Sequence, residues 1–595
     1  MNMKEKIKRI LLASGRKNNW LWAIGLNLTF LISILLFCDI KYEVSDDFVM
    51  STIISGAYGN GYNPHLMFIN ILWGYLLLPF YYLCPSISWY LIAQLLLCFL
   101  SFTVVSYMLL ERLERPIAFL FIVVLLTIFA DDAYILVQFT KTAMIAVMGG
   151  GIVFLWILFY EKFRPLLIGT GIICLAGTLV RFMTIYIAGG FFLIILVVEF
   201  WKLLRNKNYR KSIYIIISGG ILICVAVGMK AVDSYIYNSD EEYAFYKEYN
   251  AARASVTDAS DYGYEAYETE LEKIGISEND YNIMRSWSFG DNDVFSVATL
   301  EKTGNIIDAY KEERGISKEA ILESFQARKI IGYPICIACI VIVFASIILG
   351  RKEWLLNMVC LVVGGLYLLY FFVIERTLYR IEYGIFLGVF LSILLLWKKN
   401  KDITRTYFVE MSKICAILIL VCFVTESVIY IPDKSYQDNT SDTRREYIEN
   451  VFNNSWDYDA RKYRKVVNKG SKCENLIKEI TDNKDNFYFL DFNTTIQILY
   501  YDWNPFYTLP EGFYNNNLYL AGIMSNFPDY NKVLKNNDIE SPLKDLAKDN
   551  VYIIDSDSKN LSEKVDFLKE HYYPEAYAEL YKEVDGYQIW KISKE

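Results

Sequence analysis

Apolar residues fall in long blocks along this chain, with polar stretches between them. By window reading, blocks at 20–39, 66–84, 88–110, 116–130, 141–160, 165–180, 183–201, 212–232, 330–349, 354–374, 383–397 and 412–431 have the composition of membrane spans. The chain after the first block predicts a short amphipathic helix on the lipid surface. Ser45 is a good N-cap for it, Phe48, Val49, Thr52, Ile53 and Tyr58 form its apolar side, and Gly56, Gly59 or Gly61 ends it. Residues 233–329 are rich in Tyr, Asp and Glu, and Ser277-Glu278-Asn279-Asp280 marks a helix start there, so short capping helices are expected. In the tail, 487–490 and 551–554 read as short buried strands, 561–571 as a helix and 586–592 as a closing strand, which predicts a small α/β unit.

Charge changes the span count. If all twelve blocks cross and Met1 is inside, Arg112 and Arg115, Lys162 and Arg164, the run 202–211, Arg351 and Lys352, and the run 398–413 all lie outside, against the positive-inside rule. Removing the crossing at 66–84 reverses every one of them. The short connections after it then carry sixteen Lys and Arg inside and four outside: Lys141, Arg181, Arg376 and Arg380. Asn70, Gly74 and Pro79 interrupt that block, and Trp73, Tyr75, Tyr81 and Tyr82 suit a membrane interface. The sequence therefore predicts a polytopic α-helical membrane protein with about eleven spans plus juxtamembrane helices and a small extracytoplasmic C-terminal α/β domain. Residues 1–431 form the transmembrane module, with outer loops 40–87 and 233–329, and 432–595 the domain. The basic segment before the first span makes that span its own signal-anchor, so the N-terminus is expected in the cytoplasm of a multi-pass cell-membrane protein.

Composition excludes other classes. At 595 residues and 54% hydrophobic, the chain is too apolar for a soluble domain, and a net charge of −8 with scattered basic clusters argues against a nucleic-acid partner. Ten of the eleven cysteines lie in or beside apolar blocks, so no extracytoplasmic disulfide framework is expected.

Charges at the outer ends of spans form the candidate site, because charge near hydrocarbon is costly. The acids are Asp46, Asp47, Asp131 and Asp132; the bases are Lys141, Arg181, Arg376 and Arg380; His65 is the one histidine near the membrane. The set suits group transfer from a lipid phosphate: Arg and Lys hold phosphate oxygens, and a carboxylate takes the proton of an attacking hydroxyl. Bland readings stand beside this one. Asp46 and Asp47 favour a helix N-terminus by charge alone, Lys141 and Arg181 can snorkel, and Glu375 and Glu382 can pair internally with Arg376 and Arg380. Asp291-Asn292-Asp293 reads as a turn, and His65 lacks the second histidine of a zinc site.

Four local features resemble the GT-C superfamily of glycosyltransferases, in the branch of the protein O-mannosyltransferases and the lipid A aminoarabinose transferases. They are the acidic pair Asp46-Asp47 after the first span, Asn63-Pro64-His65-Leu66 opening a juxtamembrane helix, Asp131-Asp132 ending the third span, and Leu175-Ala176-Gly177-Thr178-Leu179-Val180-Arg181. The resemblance implies a GT-C-like fold and transfer from a polyprenyl-phosphate sugar on the outer face. The acceptor is a glycan, lipid or protein hydroxyl, and membrane lipids are the surroundings. Asp46 is the first choice of base and Asp47 the second. Lys141, Arg181, Arg376 and Arg380 would hold the donor phosphate, and His65, Asp131 and Asp132 would position substrate. No metal ligand set is assigned, and a divalent cation is the one cofactor left open. His65 stands where the branch has a second proline, and Arg181 where it has a lysine, so sugar and acceptor stay open. The competing readings are a polysaccharide polymerase or ligase using diphosphate-linked oligosaccharides, and a non-enzymatic envelope transporter or scaffold.

Overall fold

The computed structural model describes residues 16–38, 40–160, 164–328, 330–349, 354–397, 404–429, 473–500, 504–520, 522–555 and 558–594. The predicted domain boundary at 431–432 and the basic start of the chain lie outside the described residues.

Helix α1 (Arg16–Phe37) leads to β1 (Lys41–Tyr42), α2 (Ser45–Ile54), α3 (Ile71–Leu83) and α4 (Trp89–Arg112). Helix α5 (Arg115–Leu125) runs through a π-helical turn (Leu126–Ala130) into α6 (Asp131–Ile135), and β2 (Leu136–Val137) precedes α7 (Phe139–Tyr160), α8 (Arg164–Val180), α9 (Thr184–Arg205) and α10 (Tyr209–Asn238). The polar helices α11 (Glu241–Thr257), α12 (Glu278–Arg285) and α13 (Val297–Arg314) follow, then the apolar α14 (Pro334–Leu349), α15 (Trp354–Val373), α16 (Tyr379–Leu396) and α17 (Arg405–Ile429). Among the described residues eight helices are long and apolar enough to cross a membrane; α8 and α14 are shorter apolar helices, and α17 has 25 residues.

The block at 66–84 becomes α3, with 13 residues. At 1.5 Å per residue it is about 20 Å long, short of the ~30 Å hydrocarbon layer. Both of its ends lie on one face of the bundle. At its start the Asn70 N–H donates to Leu179 O at the end of α8, and the Asp233 carboxylate near the end of α10 accepts from the Ile71 N–H at 2.9 Å. Beyond its other end, Thr508 of the tail donates to Pro85 O at 2.8 Å, and the Ser88 N–H donates to Phe506 O. Gly74, which the sequence marks only as an interruption, lets Pro64 cross the helix: a β-carbon there would lie 2.1 Å from Pro64 O.

The opposite face carries the basic clusters. There Arg405 pairs with Glu114 at 2.6 Å, Arg112 donates to Leu394 O at 3.0 Å and Arg115 to Asn19 at 2.9 Å.

The tail contains a five-stranded sheet. Its strands are β3 (Phe487–Asp491), β4 (Asn517–Leu520), β5 (Val551–Ile554), β6 (Tyr577–Val584) and β7 (Tyr587–Ser593), in the order β4-β3-β5-β7-β6. Strand β3 is parallel to β4 and β5, β7 is antiparallel to β5 and β6, and α18 (Ser558–His571) connects β5 to β6. Strands at 487–490 and 551–554 and the closing strand are where the pattern put them. Strands β4 and β6 were not predicted.

The tail packs on both polar segments of the loop face. Tyr519 and Tyr58 share a hydrogen bond of 2.6 Å, Asn63 donates to Asp529 at 2.7 Å, and Tyr514 N–H donates to Ala57 O at 2.9 Å. From the other segment, Tyr246 donates to Ile523 O at 3.0 Å, and Asp291 accepts from Ser541 at 2.9 Å and Tyr572 at 2.6 Å. Asp291 Oδ1 also accepts the N–H groups of Asp293 and Val294, the turn expected there.

Candidate active site

A two-residue parallel ladder builds the site. Strand β1 pairs with β2, Lys41 opposite Leu136 and Tyr42 opposite Val137, and the Glu43 N–H donates to Val137 O at 2.9 Å. The acidic segment after the first span is thereby laid beside the acidic segment after the third.

Helix α2 departs from its expected role. It does not lie free on the lipid surface; nearly all of its residues are buried, with the π-helical turn Ile496–Tyr500 of the tail packed on it. Ser45 is its first residue and not its cap, since Val44 holds that position without a side-chain hydrogen bond. The helix stops at Ile54, two residues before Gly56.

Burial separates the two aspartates. Asp47 is fully enclosed (0% exposed). Its Oδ1 accepts from Tyr90 at 2.8 Å, Gln94 at 3.0 Å and the Phe139 N–H at 3.2 Å, so it caps the start of α7 from another helix. Burial pushes its pKa up to about 7 against the lowering pull of Gln94 and Tyr90, and the neighbouring Asp46 charge adds to the rise. Asp46 is half-buried, and among the described residues its carboxylate has no hydrogen-bond or ion-pair partner. Desolvation raises its pKa too, opposed first by the charge of Arg380 and then by that of Arg181.

The two arginines are held without carboxylates of their own among the described residues. The Arg181 guanidinium lies 5.6 Å from the centre of the Phe68 ring and 5.3 Å from that of Phe139, two rings stacked 6.0 Å apart. Arg380 is half-buried in the first turn of α16. The internal pairs expected around it do not form. Glu382 pairs with Arg328 at 2.9 Å, Glu375 faces Lys311 and Arg314 at 3.8 Å each, and Arg376 pairs with Asp258 at 2.7 Å. Each partner comes from outside the 375–382 segment.

Lys141 sits apart, held by two carboxylates. It is 1% exposed, 2.6 Å from Glu43 and 3.3 Å from Asp132, and its ammonium lies 5.8 Å from the Tyr383 ring centre. Asp132 is occupied by that lysine, while Asp131, half-buried, begins α6. His65 is likewise placed apart. Its ring stacks on Tyr243 at 3.7 Å, its Nδ1 is 2.8 Å from Asn63 Oδ1, and burial pushes its pKa down to about 4, so it is neutral near pH 7. The charges of Asp240, Asp233, Lys247 and Lys532 act on it.

Sequence reasoning missed Glu43, Tyr90 and Gln94, and it missed Arg253 and Asp258 of the loop around α11. Glu43 stood three residues before Asp46 and carried a signal; Arg253 lay in a polar stretch with nothing to separate it from surface charge.

No protein-family profile and no curated protein matches the chain. Two solved structures align with nearly all of it. One is the crystal structure of ArnT from Cupriavidus metallidurans in the apo state, 11% identical, TM-score 0.40, covering 96% of this chain and 98% of that one. The other is ArnT from the same organism bound to undecaprenyl phosphate, 10% identical, TM-score 0.39, covering 96% and 97%.

Proposed function

We propose that this chain is a membrane-embedded, inverting glycosyltransferase of GT-C type that moves a sugar from a polyprenyl-phosphate donor to a hydroxyl on the loop face, the outer side of a cell membrane. The observation that carries this reading is the half-buried Asp46 carboxylate, unpartnered among the described residues and within electrostatic reach of Arg181 and Arg380. Asp46 takes the proton of the acceptor hydroxyl as its oxygen attacks the anomeric carbon. The bond from that carbon to the phosphate oxygen breaks, its electron pair goes to the oxygen, and polyprenyl phosphate leaves. One displacement inverts the centre. Arg181 and Arg380 hold the phosphate oxygens, and a base whose pKa is raised toward the working pH takes the proton more readily. Asp47 supports the site by fixing α2 against α4 and α7.

The test is release of polyprenyl phosphate by the purified full chain, given polyprenyl-phosphate sugars and an envelope extract as acceptor. Turnover that depends on the extract supports the reading. Turnover only of diphosphate-linked oligosaccharides, or binding without turnover, contradicts it.

A further inference from the structure

An imidazole and two carboxylates meet where α12 of the 239–328 segment packs on α18 of the tail. His571 Nε2 lies 2.8 Å from Asp280 Oδ1, and with a carboxylate oxygen of Glu570 the three atoms all fall within 4.8 Å of one another. Asp280 is fully enclosed, His571 is half-buried and Glu570 reaches solvent. Among the described residues no Lys or Arg pairs with either acid, so even a protonated His571 leaves the group with a net negative charge, which a bound cation would offset.

One residue orients both acids. Ser277, the N-cap of α12, donates its N–H to Asp280 Oδ2 at 3.1 Å and its hydroxyl to Glu570 Oε2 at 2.8 Å. This leaves Asp280 Oδ1 and Glu570 Oε1 for a metal, and partners of this kind hold ligands in the orientation a metal needs. Asn279 donates to Glu563 O at 3.0 Å, which fixes the two helices side by side. Zinc takes such ligands at about 2.0–2.2 Å, which sets tetrahedral ligand atoms about 3.3 Å apart. The widest separation here has to close by only about 1.5 Å, within reach of a rotation of the exposed Glu570 side chain.

We propose that Asp280, Glu570 and His571 form a zinc site that clamps the tail to the 239–328 segment, with water in the fourth position. The ion takes the place of the hydrogen between Nε2 and Oδ1, and its two positive charges balance the two carboxylates. One imidazole with two carboxylates suits zinc, whereas calcium and magnesium prefer an all-oxygen shell of six or more ligands. The exposed side of Glu570 is the entry path. The clamp is independent of the transferase reading, since its three residues stand apart from Asp46, Arg181 and Arg380.

The test is zinc uptake at pH 8 by the full chain in detergent after chelator treatment, measured as metal bound per chain, with protease protection of the tail read on the same samples. The wild type is expected to take up one zinc per chain and to gain protection that chelator reverses, because an ion that binds only the joined segments stabilises their contact. His571→Gln and Glu570→Gln are each expected to weaken binding by about tenfold or more and to remove the added protection. Ser277→Ala, which keeps all three ligands and loses the hydroxyl on Glu570, is expected to weaken it by about tenfold. Asp566→Asn, an exposed acid on the same helix, is expected to bind zinc as the wild type does. Cobalt(II) in place of zinc is expected to give visible absorption bands without thiolate charge transfer, which separates this site from the cysteines. Should His571→Gln not fold, the exposed Glu570→Gln decides. No saturable uptake by the wild type, undiminished uptake by the deciding variant, or a thiolate band overturns the site, as does calcium or magnesium competing equally with zinc. Uptake without added protection overturns the clamp.

Discussion

Asp46 and Asp47 are neighbours on one helical turn with opposite surroundings. Removing the Asp47 side chain leaves Tyr90, Gln94 and the Phe139 N–H without their acceptor, and buried donors left unmade cost about 1–3 kcal/mol each. Asp47→Ala is therefore expected to lower the melting temperature of the detergent-solubilised protein markedly, while Asp46→Ala, which removes no hydrogen bond, leaves it nearly unchanged; equal losses in both would contradict this division. The pH profile belongs to the same scale. Because the Asp46 pKa is raised by burial, the acid limb of kcat/KM should lie above the ordinary aspartate range of about 4, and a limb at or below that value would argue against Asp46 as the base. The sequence singled out this pair with Asp46 as the first choice of base, but it could not show their different surroundings, which depend on donors from α4 and α7, 43 to 92 residues away. Arg376 and Arg380 show the same limit, since sequence neighbours suggested local ion pairs while the partner of Arg376 lies 118 residues distant.

At the scale of elements, α3 is the segment whose behaviour was most legible. Basic residues on alternate connections required one crossing to be lost, and the interrupted apolar run showed which. What the pattern could not show is why α3 stays down: Pro64 crosses it at Gly74. Gly74→Leu is expected to separate the 63–66 turn from the helix and lower the melting temperature, and an unchanged melting curve would contradict the close crossing. Cysteines placed at Met67 and Ser86 should react with an impermeant maleimide from the same side of the membrane; labelling from opposite sides would mean that α3 crosses. Strand β6 escaped notice because it is an exposed edge with no buried alternation, and β4 because its polar start, 515–517, hides a four-residue strand.

At the scale of the molecule, the tail is joined to the 239–328 segment. His571 joins them, 2.8 Å from Asp280 with Glu570 alongside, and the Asp280 hydrogen bond raises its pKa. A histidine with a raised folded-state pKa contributes stability that is fully present below its unfolded value of about 6.5 and is lost as pH rises through the folded value. Protection of the tail from protease should therefore weaken from pH 6 upward through the folded pKa in the wild type and be flat in His571→Gln; identical profiles would remove the latch. That His571 joins the tail to Asp280 and that His65 stacks on Tyr243 was invisible in the sequence, because these partners are brought together only by the fold. The central claim is that Asp46 is the base of a sugar transfer. The most direct measurement is the single-turnover rate with a polyprenyl-phosphate sugar for the wild type, Asp46→Asn and Asp47→Asn, side by side. The account predicts a fall of about a hundredfold or more in Asp46→Asn and a much smaller one in Asp47→Asn, and near-wild-type transfer by a folded Asp46→Asn protein would contradict it.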